Sequence, residues 1–176
     1  MSVRSQASGQ ARVAGGVIGI LGVFGALVPF VGPSFGYGMG GVQAWTWSES
    51  HLTLHLAPGL AAVVGALLLL RGRCASQIVG ALLAVVAGAW FVIAPSLHPL
   101  WAGQATSGMS GMGDSAISEA LSALGYHYGT GALIAVVAAY ALGVVSRQQT
   151  AVPVPAEGSQ PDRLDTQDSS RVSVPG

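Results

Sequence analysis

Four long apolar stretches alternate along the chain with more polar segments that carry all of its charged residues. About 20 helical residues cross the hydrocarbon layer of a bilayer, which is roughly 30 Å thick. Because no acidic or basic residue interrupts the four stretches, we predict transmembrane helices over residues 13–31, 52–70, 78–95 and 125–145. The expected fold class is an all-α polytopic membrane protein, with residues 13–147 forming one four-helix transmembrane domain.

The two ends of the chain lack this apolar character. Residues 1–12 are polar, and residues 148–176 are rich in Pro, Ser, Gln and Asp, a composition typical of a disordered tail. A secretory signal peptide is the alternative for the N-terminus, because an arginine-bearing start followed by an apolar run fits that as well. The run is long and ends in Pro29-Phe-Val-Gly-Pro33 without a small-x-small cleavage site, which favours a retained span.

The arginines predict the orientation. Those near the apolar stretches lie before the first stretch, between the second and third, and after the fourth, at Arg4, Arg12, Arg71, Arg73 and Arg147. The segments on the opposite side have none, and positively charged segments stay in the cytoplasm. We therefore expect a multi-pass plasma-membrane protein with both termini cytoplasmic.

Composition excludes several classes of protein. Hydrophobic residues make up 51% of the chain and charged residues only 8%, against about 25% charged in soluble domains. The net charge is zero and no basic patch suited to nucleic acid is present. The single cysteine, Cys74, excludes an intramolecular disulfide and CxxC redox chemistry.

All seven basic residues are arginine, which suggests a high-GC bacterial source. The expected partners are the lipid bilayer, a second copy or a larger membrane complex.

The second and fourth stretches align with each other. Matching His55 to His127 also pairs Gly59 with Gly131, Val64 with Val136 and Ala66 with Ala138. At 100° per helical residue, the glycine and alanine lie on the histidine's face and the valine lies opposite. The first and third stretches align more weakly, through Gly19 with Gly80 and Ala26 with Ala87. This pattern predicts an internal duplication, with two parallel helical hairpins related by a pseudo-two-fold axis along the membrane normal.

The layout of the second half resembles a known family. Gly88-Ala-Trp-Phe-Val-Ile-Ala-Pro-Ser96 is a span that ends in aromatic residues and proline, and Tyr126-His-Tyr-Gly-Thr-Gly-Ala-Leu-Ile134 is a helix that opens on polar aromatic residues. In this the chain resembles the small bacterial membrane proteins built from SPW repeats, over roughly residues 13–146. Ala94-Pro95-Ser96 stands where the family's Ser-Pro-Trp would be. The resemblance implies a four-helix membrane fold without an established activity, and it supplies no catalytic residues.

The histidines are the candidate ligand residues. At about 1.5 Å per helical residue, His55 and His127 lie about 22 and 27 Å above the inner ends of their helices, so both are expected near the outer boundary of the bilayer. The first interpretation is that the amphipathic imidazoles simply suit the membrane interface. The alternative is a cofactor site with His55 and His127 as its ligands. A metal such as Cu or Zn, or a haem, would draw its ligands from all four histidines, His51, His55, His98 and His127.

Function is expected to be non-enzymatic. No nucleophile with a base and no phosphate-binding glycine motif is recognisable, and the spans lack the ionisable residues of proton-coupled transporters. A stripe of small residues, Gly15, Gly19, Gly22 and Ala26, predicts close helix packing, and hence action through packing with itself or with a larger complex. The alternative is a haem- or metal-binding protein with its site on the extracytoplasmic side, where Met39, Met109 and Met112 are further candidate ligands for Cu(I).

Overall fold

The computed structural model describes residues 3–35, 37, 43–100 and 124–150, and within these ranges all regular structure is helical. The α-helices there are α1 (Val3–Val31), α2 (Glu49–His51), α3 (Ala57–Leu70), α4 (Cys74–Leu97) and α5 (Gly129–Thr150). Two π-helical turns, Leu52–Leu56 and Leu124–Tyr128, lead directly into α3 and α5. Short 3-10 turns follow α1 and α4, at Gly32–Phe35 and His98–Leu100.

Four helical segments are long and apolar enough to cross a membrane: Gln6–Phe35, Glu49–Leu70, Cys74–Leu97 and Gly129–Gln148. They coincide with the four predicted spans, so the all-helical class with four candidate membrane helices is confirmed for the described residues. The three candidate methionines, Met39, Met109 and Met112, and residues 151–176 of the expected tail lie outside the described residues.

The helices run further than the apolar pattern predicts. α1 begins at Val3, within the polar N-terminal segment, and α5 continues to Thr150. Pro95 lies inside α4, which ends at Leu97 rather than at the proline. A proline removes one N–H donor and disturbs the carbonyl four residues earlier. Within one turn of a helix end the loss of this hydrogen bond is tolerated, and the His98 N–H still bonds to the Ala94 carbonyl.

The four long helices pack as a ring in which α1 and α4 each contact both α3 and α5. Consequently α1 faces α4, and α3 faces α5, across the centre of the bundle. The core is built mostly of alanines, with a few large side chains that are fully buried, chief among them Phe91, Ile18, Leu69 and Ile134. Small residues let helix backbones approach closely, which is the main source of attraction between helices in lipid.

Facing glycines mark the closest helix contacts. They join α1 to α3, α3 to α4, and α4 to α5, through the pairs Gly22–Gly59, Gly65–Gly80 and Gly88–Gly131. A Cβ atom built on Gly59 would lie 2.8 Å from the Gly22 carbonyl oxygen, and one built on Gly131 would lie 2.7 Å from that of Gly88. Ordinary contacts of a carbon atom are about 3.5–4.0 Å. Glycine is therefore required at these positions by space, whatever its backbone freedom.

Candidate histidine site at the end of the bundle

His55 and His127 meet at one end of the bundle. Their ring centroids are 4.4 Å apart and their planes are inclined by 34°. The two residues are only 4% and 6% exposed, and the Nδ1 atom of each ring is fully enclosed. The two histidines that the sequence singles out as counterparts are thus brought into contact, although they come from helices on opposite sides of the ring.

Each of these histidines lies in a π-helical turn. His55 is the fourth residue of Leu52–Leu56 and His127 is the fourth residue of Leu124–Tyr128, and each turn is followed at once by an α-helix. π-Helical turns are rare in proteins, but those that occur often lie at functional sites. The extra residue in the turn changes the direction in which a side chain points. The same local distortion therefore aims both imidazoles.

Pro58 explains the first distortion. In the π-turn the Ala57 N–H bonds to the Leu52 carbonyl, so the Thr53 carbonyl would need the N–H of the residue at position 58. Proline has no N–H. The indole of Trp90 on α4 supplies the missing donor, with Trp90 Nε1 donating to the Thr53 carbonyl at 2.9 Å. A side chain of the neighbouring helix thus stabilises the turn that carries His55.

The equivalent carbonyl of the second π-turn also accepts a hydrogen bond from a side chain, here one of its own helix. Thr130 occupies the position that corresponds to Pro58, and its hydroxyl donates to the Gly125 carbonyl at 2.7 Å. Thr130 is 5% exposed, so this hydrogen bond is shielded from solvent.

The hydroxyl of Tyr37 lies against Gly125, which leaves no room there for a side chain. Burial raises the pKa of the Tyr37 phenol above its usual value of 10.0, so it is a neutral donor at physiological pH.

Further rings surround the histidine pair. The ring centroid of Phe91 lies 6.2 Å from that of His55, and the ring centroid of His51 lies 6.3 Å from it. The Nδ1 atom of His51 donates to the Thr46 carbonyl at 2.7 Å, which leaves Nε2 as the nitrogen with a free lone pair. A backbone hydrogen bond of this kind is what orients metal-binding histidines in many proteins.

Aromatic side chains cover His51 from the loop side. Phe30 lies 5.5 Å from His51 and 5.0 Å from Trp47 between ring centroids. The Trp45 N–H donates to the Phe30 carbonyl at 3.0 Å, and Trp45 itself has a left-handed backbone with φ 62°. Trp45 and Trp47 are both well exposed, as is common for tryptophans at a membrane–water interface.

The four predicted histidines do not behave alike. His98 bonds through Nε2 to the Ser50 hydroxyl at 3.1 Å. Among the residues that the structure describes, no three histidine, cysteine, aspartate or glutamate side chains are grouped closely enough to hold a metal ion. The structure thus brings together His55 and His127, with His51 as the next imidazole. A site that uses all four histidines stays a prediction.

The spacing of the pair limits what it can bind. Two imidazoles with metal–nitrogen bonds of about 2.0–2.1 Å place their ring centroids about 6 Å apart when they are trans, and about 4.5–5 Å apart when they are cis. The observed 4.4 Å suits adjacent ligands on one metal ion. It does not suit a haem between the two rings, which needs the trans separation and a clear slab for the porphyrin.

Sequence reasoning missed the residues that support the pair. Trp90 was recognised only as a residue flanking the end of a span, and Thr130 was not singled out. The sequence offers two signals. Pro58 lies near the start of the second span, and Thr130, a hydroxyl residue, occupies the position that aligns with it. Phe91 gave no local signal, because its contact with His55 depends on how α3 and α4 pack.

Comparison with protein-family models, with curated protein sequences and with solved structures found no match.

Proposed function

We propose that this chain is a four-span plasma-membrane protein that binds a transition-metal ion at its outer end through His55 and His127. Membrane insertion is supported by the four candidate spanning helices. It is also supported by large apolar side chains that point outward from every long helix, such as Ile20, Leu67, Val86 and Leu133. A surface of this kind suits lipid and is rare on soluble monomers. The arginines put both termini in the cytoplasm and the histidine pair outside.

An internal duplication is supported by matched contacts. One alignment pairs His55 with His127, and a second pairs Gly22 with Gly88. Together they convert the Gly22–Gly59 contact of the first hairpin into the Gly88–Gly131 contact of the second. Gly22 faces the Gly59 carbonyl and the side chain of Val63, while Gly88 faces the Gly131 carbonyl and the backbone of Ala135, their counterparts. The same alignment matches the helix prolines Pro29 and Pro95. It differs from the Gly19–Gly80 register that the residues alone suggest.

The duplication gives a physical reason for the histidine pair. A two-fold axis that exchanges the hairpins runs between α3 and α5, so equivalent residues that face the axis meet across it. His55 and His127 are such residues. Gly25 and Phe91 are equivalent on α1 and α4, and the Phe91 ring lies 2.7 Å from where a Cβ on Gly25 would be. A glycine on one side thus makes room for a phenyl ring from the other.

The single observation that carries the metal proposal is the 4.4 Å separation of the two rings. Neutral imidazoles suit Zn²⁺ and Cu²⁺, and two cis nitrogens leave further coordination positions for water or an incoming ligand. His51, whose Nδ1 is held by the Thr46 carbonyl, is the nearest further nitrogen donor. The protein contributes a pair of ligands that is fixed in place by two π-turns and by the core.

Function through packing with a second copy or a larger complex, the first expectation from the sequence, stays a prediction, but the small-residue stripe does not support it. Gly15 and Gly22 of the small-residue stripe both face α3, within 3.1 Å of its atoms if a Cβ is built on them. Ala26 packs against Gly59 in the same interface. The stripe is therefore used inside the chain, and an oligomer would need a different surface.

Metal titration tests the proposal. The protein, purified in mild detergent with a tag free of histidine, is titrated with Zn²⁺ and with Cu²⁺ against a competing chelator. We expect one ion per chain, and a loss of affinity of about tenfold or more for His55→Gln and for His127→Gln. His98→Gln is the matched control and keeps the affinity. Absence of stoichiometric metal in the native protein, or an equal loss in the control, refutes the proposal.

Reporter fusions test the membrane topology separately. Alkaline phosphatase is active only outside the cytoplasm, and green fluorescent protein only inside. Fusions placed after residues 42 and 110 are expected to be active with the phosphatase, whereas fusions after residues 72 and 150 are expected to fluoresce. The reverse pattern, or secretion of a shortened chain, rejects the four-span orientation.

A further inference from the structure

A groove runs between α1 and α5 on the outside of the bundle, away from the histidine pair. Its volume is about 400 Å³, and its walls are mainly apolar. The residues that line it include Gly9, Val13 and Val17 on α1 and Val137 and Tyr140 on α5. This is also the one neighbouring helix pair that lacks a facing-glycine contact among the described residues.

The proposed duplication explains why the groove exists. The equivalent interface between α3 and α4 is closed by Gly65 and Gly80, where a built Cβ would lie only 2.5–2.6 Å from the opposite carbonyl oxygen. The counterparts of these glycines are Val137 and Ala14, and both line the groove. Real Cβ atoms cannot occupy that space. The helices α1 and α5 are therefore held apart where their counterparts touch.

We propose that this groove binds one acyl chain of an anionic phospholipid from the inner leaflet. The inference rests on the proposed membrane insertion and is independent of the metal site. An apolar groove open to the hydrocarbon layer is filled by lipid tails, because water there would leave its hydrogen bonds unmade. The groove lies along the half of α1 that begins at the cytoplasmic terminus, which places its occupant in the inner leaflet.

The polar end of the groove selects the headgroup. Gln6 and Gln10 line it at the start of α1, and their amides can donate to phosphate oxygens. Arg147 lies seven residues after Tyr140, and two helical turns bring it back to the same face. It is exposed, and it adds a positive charge beyond Tyr140, toward the end of α5, which would attract a phosphate. Acidic residues are absent from the described parts of both helices.

Native mass spectrometry tests the inference. Delipidated protein in detergent is mixed with phosphatidylglycerol or with phosphatidylcholine of identical acyl chains, and retained lipid is counted. We expect one retained phosphatidylglycerol per chain and weaker retention of phosphatidylcholine. Val17→Trp fills the groove and should lower retention roughly tenfold, whereas Val79→Trp, on an exposed face of α4, should not. Arg147→Gln should lower the preference for the anionic lipid about fivefold, with Arg73→Gln as its control.

Each outcome decides the inference. Equal retention of the two lipids overturns the headgroup assignment, and unchanged retention in Val17→Trp overturns the groove as the binding place. A dimer that loses its stability in Val17→Trp would show that a second copy occupies the groove, which also overturns it. Failure of the reporter-fusion topology, in contrast, would remove the membrane proposal itself.

Discussion

Gly59 lies at the tightest contact between α1 and α3, and its replacement by alanine tests both the packing and the duplication. A Cβ at this position would lie 2.7 Å from the Ala26 Cβ and 2.8 Å from the Gly22 carbonyl oxygen. Neither neighbour is the flexible end of a side chain, so no rotamer change can relieve the overlap. The two helices must therefore separate locally to accept the added methyl group.

The cost follows from the distances. Relaxing these contacts to about 3.5 Å requires a movement of roughly 0.7–0.8 Å between the helices, and overpacking of this kind typically costs about 1–3 kcal/mol. Alanine favours the helix over glycine by up to about 1 kcal/mol. We expect Gly59→Ala to lower the free energy of unfolding by about 1–2 kcal/mol.

The duplication makes the prediction sharper. Gly131 is the counterpart of Gly59, and its Cβ would lie 2.6 Å from the Phe91 Cβ and 2.7 Å from the Gly88 carbonyl oxygen. Gly131→Ala should therefore destabilise the protein by a similar amount. Gly16→Ala is the matched control, because nothing lies within 4 Å of a Cβ at that position. It should leave the stability unchanged or raise it slightly.

Unfolding of the three variants in mixed detergent micelles, followed by tryptophan fluorescence against the fraction of dodecyl sulfate, measures these differences. A stability of Gly59→Ala equal to that of Gly16→Ala would show that the α1–α3 contact is not as close as described. A large loss in Gly59→Ala with none in Gly131→Ala would instead contradict the equivalence of the two hairpins.

Three further predictions concern the histidine site and its support. Trp90→Phe removes the donor to the Thr53 carbonyl, so it should lower stability by about 1 kcal/mol and weaken metal binding. The same unfolding assay and metal titration measure these effects, and an unchanged affinity would mean that the turn does not position His55. Combining Gly25→Phe with Phe91→Gly exchanges the two sides of the axis, and should recover stability lost by either single variant; purely additive losses would argue against the pseudo-axis. Metal affinity should fall in acid solution, because imidazole must lose its proton to bind a metal; a pH-independent affinity would implicate other ligands.

The sequence predicted the number and the approximate positions of the apolar helices, because the length of an uninterrupted apolar run depends on the chain alone. It also singled out His55 and its counterpart His127. It did not predict that their turns are π-helical. A proline at position 58 is compatible with several local geometries, and the choice is made by the indole of Trp90 across the interface.

The sequence marks the small residues as packing positions, but it does not predict which residues they face. Gly59 and Gly131, which the sequence aligns with each other, make similar contacts with Gly22 and Gly88, whereas the sequence matches the first and third helices through Gly19 and Gly80. The close contacts favour Gly22 with Gly88. Glycine and alanine are too frequent in these spans for identity alone to fix a register, and the correct one depends on which backbone lies opposite.

What the sequence alone determined is the helical class and the presence of four helices long and apolar enough to cross a membrane, since both follow from hydropathy and from the rise of a helix. Only the tertiary structure decided that His55 and His127 touch, with rings 4.4 Å apart, and that the α1–α5 interface opens where α3–α4 closes. Both depend on helix order around the ring and on side-chain volume at facing positions. These are properties of pairs of distant residues, and no single stretch of the chain contains them.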